Sequence, residues 1–262
     1  MYRPSIVELP EVVKNLLIIN GLLFLATISL ESLGFDLVKI LGLHPFQSPD
    51  FRPHQIITHL FMHGNFTHLF FNMFALWMFG KILENVWGSK RFITYYIITG
   101  LGAMILYSIV QQIQISLIEV KMSVEQIQQV SSQQAYECYR ELVELSKVRK
   151  GLTDYGYSHY GIIGSEMKSL LLLYHTPVVG ASGAVFGLLL AFGMLFPNTL
   201  LYLYFAIPVK AKYFVIAYAL LEIYFVIINN PADNVAHFAH LGGMIFGFFL
   251  IKYWRKNTNS FY

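Results

Sequence analysis

One hydroxyl sits among glycines and apolar side chains in 179-VGASGAVFG-187, inside a run from Ser169 to Val209 that holds no Asp, Glu, Lys or Arg. Such a serine is either a small packing residue or a nucleophile taken out of water. In 59-HLFMHGNFTHLFFNMFALWMFG-80, His68 and Asn72 are four apart and share one face of a helix. In 236-AHFAHLGGMIFG-247, His237 and His240 lie near the start of another apolar stretch. A histidine within about 2.6–3.2 Å of Ser182 can take its proton. Acyl transfer also needs donors aimed at the developing oxyanion. The Asn72 amide, the His68 ring N–H and the Ser182 backbone N–H, near a helix start where amides lack intrahelical partners, can supply them. Together these residue types suit hydrolysis at a carbonyl by an activated serine.

The elements that must position them are membrane helices. The chain has 262 residues, 56% hydrophobic and only 13% charged, against about 25% charged in an average soluble domain. Charge is absent from Asn15–Leu30, Pro53–Gly80, Phe92–Ile118, Ser169–Val209 and Asn234–Ile251. A span needs about 20 mostly apolar residues, so an all-α polytopic bundle of six helices is expected, at about 15–33, 60–80, 92–112, 180–197, 213–230 and 235–252. Glu8 and Glu11 before the first run, Glu31 after it, and the lack of a small-x-small cleavage site mark that run as a retained span. The connection from Ser32 to His59, with Pro45, Pro49 and Pro53, is too broken for a span and fits a partly embedded loop whose backbone is covered by protein.

With a cytoplasmic N-terminus, the inner segments hold ten basic residues and the short outer loops only Lys39 and Arg52. That asymmetry puts both termini in the cytoplasm. Spans two, four and six then run from outside to inside, and each carries its polar residues in its first turns. His68, Asn72, Ser182 and His240 therefore meet at one depth in the outer leaflet. Gly183 and Gly187 are four apart, as are Gly243 and Gly247, and such spacing lets membrane helices approach backbone to backbone. If spans four and six meet along these faces, Ser182 and His240 come within reach.

The other features are read more plainly. Residues 112–168 hold 13 of the 33 charges, and the stretch 112–175 is expected to be an outer-face insertion within a single domain spanning 1–262. Within it, Gln133–Lys150 reads as an amphipathic helix through Tyr136, Tyr139, Leu142, Val143 and Leu145, and 154-DYGYSHYG-161 as loop. Glu222 in span five is costly at depth and suspect on that ground, with a hydrogen bond to a neighbouring helix as the plainer reading. The acid nearest His240 in sequence, Asp233, falls in a loop, which favours a Ser–His dyad over a triad. Cys138 alone excludes a disulfide framework and a Cys-based zinc site. The net charge of +3 fits membrane orientation rather than nucleic-acid binding. No cofactor or metal is expected. The rival from another class is a haem- or metal-binding membrane protein, using His59 with His63, His237 with His240, or His68 with His240. It leaves the Ser182 glycines unexplained. A transporter would show repeat symmetry between the halves, and none is seen.

From about residue 50 to 250 the chain resembles the rhomboid family of intramembrane serine proteases. Gly180-Ala181-Ser182-Gly183 matches the nucleophile motif, His63, His68 and Asn72 match a His-x4-His-x3-Asn motif, and 239-AHLGGMIFG-247 matches an Ala-His-[Leu/Ile]-x-Gly-x3-Gly pattern. The resemblance implies Ser182 as nucleophile, His68 and Asn72 as oxyanion donors, and His240 as base. His237 has Phe after it and does not fit the pattern, so it is supporting or interfacial. Where many members carry a tyrosine that stacks on the histidine, this chain has Phe186. The Trp-Arg pair common in the first outer loop is blurred to Phe51-Arg52 and His54-Gln55. The implied activity is cleavage of transmembrane segments of membrane proteins in the outer leaflet of a bacterial inner membrane. An inactive relative is the alternative within the family. The oligomeric state and the natural substrate stay open.

Overall fold

Away from water a chain must satisfy its backbone within itself, and helices do this segment by segment. The computed structural model describes residues 9–148, 157–158, 161–162, 164–203, 206–228 and 235–257. Its helices are α1 (Glu11–Glu31), α2 (Leu37–Leu41), α3 (Gln55–Thr58), α4 (Phe66–Trp87), α5 (Ser89–Glu119), α6 (Val124–Val130), α7 (Gln133–Val148), α8 (Ser165–His175), α9 (Ser182–Leu195), α10 (Ala211–Ile228) and α11 (His237–Asn257). Four of them, α1, α4, α5 and α10, are long and apolar enough to cross a membrane, while α9 is apolar but shorter. The strictly all-α expectation needs one amendment. Between α9 and α10 runs a two-stranded antiparallel hairpin, β1 (Leu200–Leu203) with β2 (Ile207–Lys210).

Helix boundaries differ from the periodicity for local reasons. Span two was expected from residue 60, but α4 starts at Phe66, because extended Asn65 caps it by accepting from the His68 amide at 2.8 Å. His59 sits earlier, in a 3₁₀ turn from His59 to Phe61. Within α4 the residues Leu76–Gly80 form a π turn, which holds one extra residue in the helical ladder. Below that turn Glu84 is buried and accepts from the Val12 and Val13 amides at 3.0 and 2.8 Å and from the Ser89 hydroxyl at 2.7 Å. It thereby serves the unpaired first-turn amides of α1. Gly88, at φ 76°, lets the chain reverse from α4 into α5.

α9 is the centre of the packing. Ten of its 14 residues are buried, and it lies against α5, α11 and α4. The glycines explain how closely. A Cβ on Gly243 would overlap the Gly183 carbonyl oxygen, so α9 and α11 touch backbone to backbone there. The second glycine of each expected pair behaves differently. Gly187 makes room for Thr99 of α5, and Gly247 for Tyr95, whose hydroxyl donates to the Gly187 carbonyl at 2.9 Å. The pairs therefore build a three-helix junction rather than a two-helix seam. Outside this core, α1 exposes Ile18, Leu22, Leu25 and Ile28, and α10 exposes Ile216, Leu220, Ile223 and Ile227. Apolar surface this continuous suits acyl chains.

The hydrophilic stretch folds into α6, α7 and α8 around the end of α5. Ile115 packs with Val130, Ala135, Cys138, Leu142, Met167, Leu170 and Tyr174. Ser123 and Gln126 form a capping box that starts α6. The expected helix at Gln133–Lys150 is present as α7 as far as Val148, whereas residues 149–150 and, of the expected loop, 154–156 and 159–160 lie outside the described residues.

The Ser32–His59 connection is ordered around Gln55, which is fully buried. Its amide donates to the Lys39, Ile40 and Asp50 carbonyls at 3.3, 3.3 and 3.0 Å, and its oxygen accepts from the His44 and Arg52 amides at 3.3 and 3.1 Å. The α6–α8 unit is tied to this loop. Lys39 sits 3.2 Å above the Tyr136 ring, and Asp50 bridges Lys39 at 3.1 Å and His175 at 3.4 Å.

Candidate active site

Ser182 is the first residue of α9, where the backbone N–H groups have no partner one turn back. The chain arrives there pinned to the first loop. Val178 and Leu43 exchange backbone hydrogen bonds at 2.8 and 2.9 Å, and the Gly180 amide donates to the His59 carbonyl at 2.9 Å. Gly180 has φ 129°, a conformation closed to most L-residues. It must also lack a side chain for space. A Cβ there would come 2.7 Å from His68 Cε1 and 2.8 Å from His68 Nε2, and 3.7 Å from Ser182 Oγ. The His68 ring and the serine hydroxyl thus border the same small volume.

His68 and Asn72 rise on one face of α4. Asn72 is buried, and its Nδ2 has no hydrogen-bond partner among the described residues. A buried amide donor left unmet is costly. His63 lies in the turn before α4 rather than on it. It is buried with both ring nitrogens unpartnered among the described residues and meets the His68 ring edge-on at 5.1 Å.

His240 lies in the first turn of α11, beside the start of α9. Its ring stacks flat on Phe186, with centroids 4.0 Å apart and planes 8° apart. Phe186 is one helical turn after Ser182. On the opposite strand of this contact, a Cβ on Gly183 would lie 3.5 Å from the Ala239 carbonyl oxygen. The residue after the serine therefore faces the residue before the histidine at close range. Gly243 completes the same junction one turn on, and Gly247 belongs to the Tyr95 contact.

His237 was expected to be supporting or interfacial, and it has a specific partner. Its Nδ1 is 2.6 Å from Glu222 Oε2, and its ring stacks on Phe225 at 5.1 Å. The same carboxylate oxygen lies 3.0 Å from His240 Nδ1. The expectation that Asp233 is the nearest acid is corrected by this contact, since a carboxylate from α10 reaches the ring directly. Asp233 itself lies outside the described residues. The cost of a carboxylate at depth singled Glu222 out in the sequence, but nothing in one sequence says which helix it will face.

Ligand atoms of Glu222, His237 and His240 all fall within 4.8 Å of one another, close enough to hold a metal ion. It is the one such group among the described residues. Of the other suggested pairs, His59 is engaged through Nδ1 with the Gln55 carbonyl at 2.8 Å.

A search of curated proteins finds no match to this chain. The family model of the Rhomboid domain matches residues 50–117 and 153–257, more than half of the chain, passing over 118–152 in the hydrophilic stretch. The matched segments contain the serine, both α4 residues and both α11 histidines described above. The chain belongs to the rhomboid family.

Proposed function

We propose that the protein is an intramembrane serine endopeptidase that cleaves transmembrane segments of membrane proteins. The observation that carries this reading is the joint placement of the His68 ring beside Ser182 Oγ and of the His240 ring over Phe186, one turn along the same helix. Ser182 attacks the scissile carbonyl and gives its proton to His240. The ring then passes that proton to the leaving amine, and water hydrolyses the acyl-enzyme by the reverse sequence. His68, Asn72 and the Ser182 amide hold the oxyanion, and the unmet Asn72 Nδ2 supports that role.

In this reading 1–262 is one domain of six spans in a bacterial inner membrane. Both termini are cytoplasmic, the site opens to the outer face, and residues 112–175 are an outer insertion. α9 supports the depth assignment. Fourteen residues extend roughly 21 Å, less than the roughly 30 Å hydrocarbon layer, so one end of α9 stops inside the membrane. Substrates are membrane helices weak near the cut, because a regular helix shields its carbonyls. Purified wild type, Ser182→Ala and His240→Ala, each incubated in detergent with a model transmembrane substrate, test the reading. Both variants lose cleavage, and cleavage that persists in Ser182→Ala overturns the assignment.

A second reading has one observation in its favour, the Glu222, His237 and His240 group that can hold a metal. Stoichiometric metal in the purified protein, lost in Glu222→Ala, together with absent proteolysis, would favour it.

A further inference from the structure

Glu222 is an oddity that proteolysis by serine and histidine alone does not use. It is the one buried charged residue of α10, a helix that otherwise buries only Ala211 and Val215, half-buries Phe214 and Ala219 against the core, and exposes most of the rest. Removing a carboxylate from water is unfavourable unless donors meet it, and here the His237 ring does, with the His240 ring close beside it. His237 Nδ1 forms a short bond at 2.6 Å, and His240 Nδ1 stands at 3.0 Å, out of line for a well-directed hydrogen bond. Catalytic hydrogen bonds are often poorly aligned before substrate is bound.

Consider what each contact fixes. The flat Phe186 ring confines His240 to one plane, but stacking alone does not tell Nδ1 from Nε2. A carboxylate on the Nδ1 side does. It favours the tautomer with hydrogen on Nδ1 and leaves Nε2 as the free base. His237, three residues back on the same side of α11, grips the same oxygen and keeps it in place.

We propose that Glu222 is a positioning residue that sets the tautomer and orientation of His240 and steadies the imidazolium it becomes, with His237 as its clamp. This rests on the proteolytic reading above. The proton moves from Ser182 Oγ to His240 Nε2 and then to the leaving amine, and Glu222 stays ionised throughout. Among the described residues, the polar groups that face His240 include His237 on its own helix, Glu222 from α10 and His68 from α4.

Two measurements on the full chain in detergent test this. The first compares steady-state cleavage by wild type, Ser182→Ala, Glu222→Gln and Glu222→Asp. Glu222→Gln lowers kcat about 10- to 100-fold, the range a charge-assisted hydrogen bond carries, with KM nearly unchanged, and Glu222→Asp recovers part of the loss. The second is the ¹⁵N spectrum of histidine-labelled protein, in which His240 carries hydrogen on Nδ1 in wild type and shifts toward Nε2 in Glu222→Gln. An unchanged kcat, or a raised KM with a lowered melting midpoint and an unchanged tautomer, overturns the proposal. Ser182→Ala separates the two readings. If it is inactive while Glu222→Gln matches wild type, only the role of Glu222 falls. If it still cleaves, the proteolytic reading falls and the role of Glu222 with it.

Discussion

Gly243→Ala puts one methyl group at the tightest point between α9 and α11. That Cβ overlaps the Gly183 carbonyl oxygen and lies 2.7 Å from its carbon, where ordinary contact begins at 3.4 Å. Backbone cannot rotate away as a side-chain tip can, so the helices part by roughly 1 Å. Overpacking of this kind costs about 1–3 kcal/mol. The functional cost is larger than that suggests, because the wedge sits between the residue after Ser182 and the turn that carries His240. A 1 Å misplacement of reacting groups costs up to about 100-fold in rate. The expected result is a 10- to 100-fold fall in cleavage of a model substrate by protein that still purifies as a folded species. Gly21→Ala is the control. Nothing lies within 4 Å of its Cβ, and inside a helix it stabilises by about 0.5–1 kcal/mol. If Gly243→Ala cleaves at the wild-type rate, the backbone contact does not set the geometry of serine and histidine.

The remaining expectations are smaller. Phe186→Leu removes the ring under His240, and a lost aromatic pair is worth about 0.5–1.5 kcal/mol, so cleavage falls roughly 2- to 12-fold while the melting midpoint moves little. Asp50→Asn tests the latch between the first loop and the α6–α8 unit. Burial pushes the Asp50 carboxyl up, but hydrogen bonds from His175 and Lys39 outweigh it and hold its pKa down to about 2. A depressed folded pKa means stability that is present above the ordinary value of 3.8 and lost as pH falls toward 2. Melting midpoints should therefore separate wild type from Asp50→Asn at pH 6 and converge between pH 4 and 2.

What the sequence made legible followed from periodicity and cost. Uncharged runs located the long helices, and the first glycine of each pair, Gly183 and Gly243, marked where α9 and α11 approach. The i, i+4 spacing of His68 and Asn72 was enough to place them on one face. What stayed hidden depended on contacts between distant segments. Tyr95 and Thr99 look like ordinary residues of an apolar helix, yet they are what Gly247 and Gly187 make room for. Glu84 reads as a charge at a helix end, yet it caps the first turn of α1 more than 70 residues earlier in the chain. The pairing of Glu222 with α11 is of the same kind. Period and composition describe one element at a time, and these residues act between elements.

The π turn in α4 makes one helix behave as two pointers on a common shaft. The upper pointer, from Phe66 to Ala75, carries His68 and Asn72, and the lower carries Glu84 toward α1. Each residue of a regular helix advances the azimuth by about 100°, so the extra residue at Leu76–Gly80 sets the angle between the two ends. Shortening that turn by one residue would rotate the upper end by about 100° relative to the lower and swing His68 and Asn72 away from Ser182. The aim of the polar residues is thus written in the count of residues between them and their anchor, a quantity no single side chain carries.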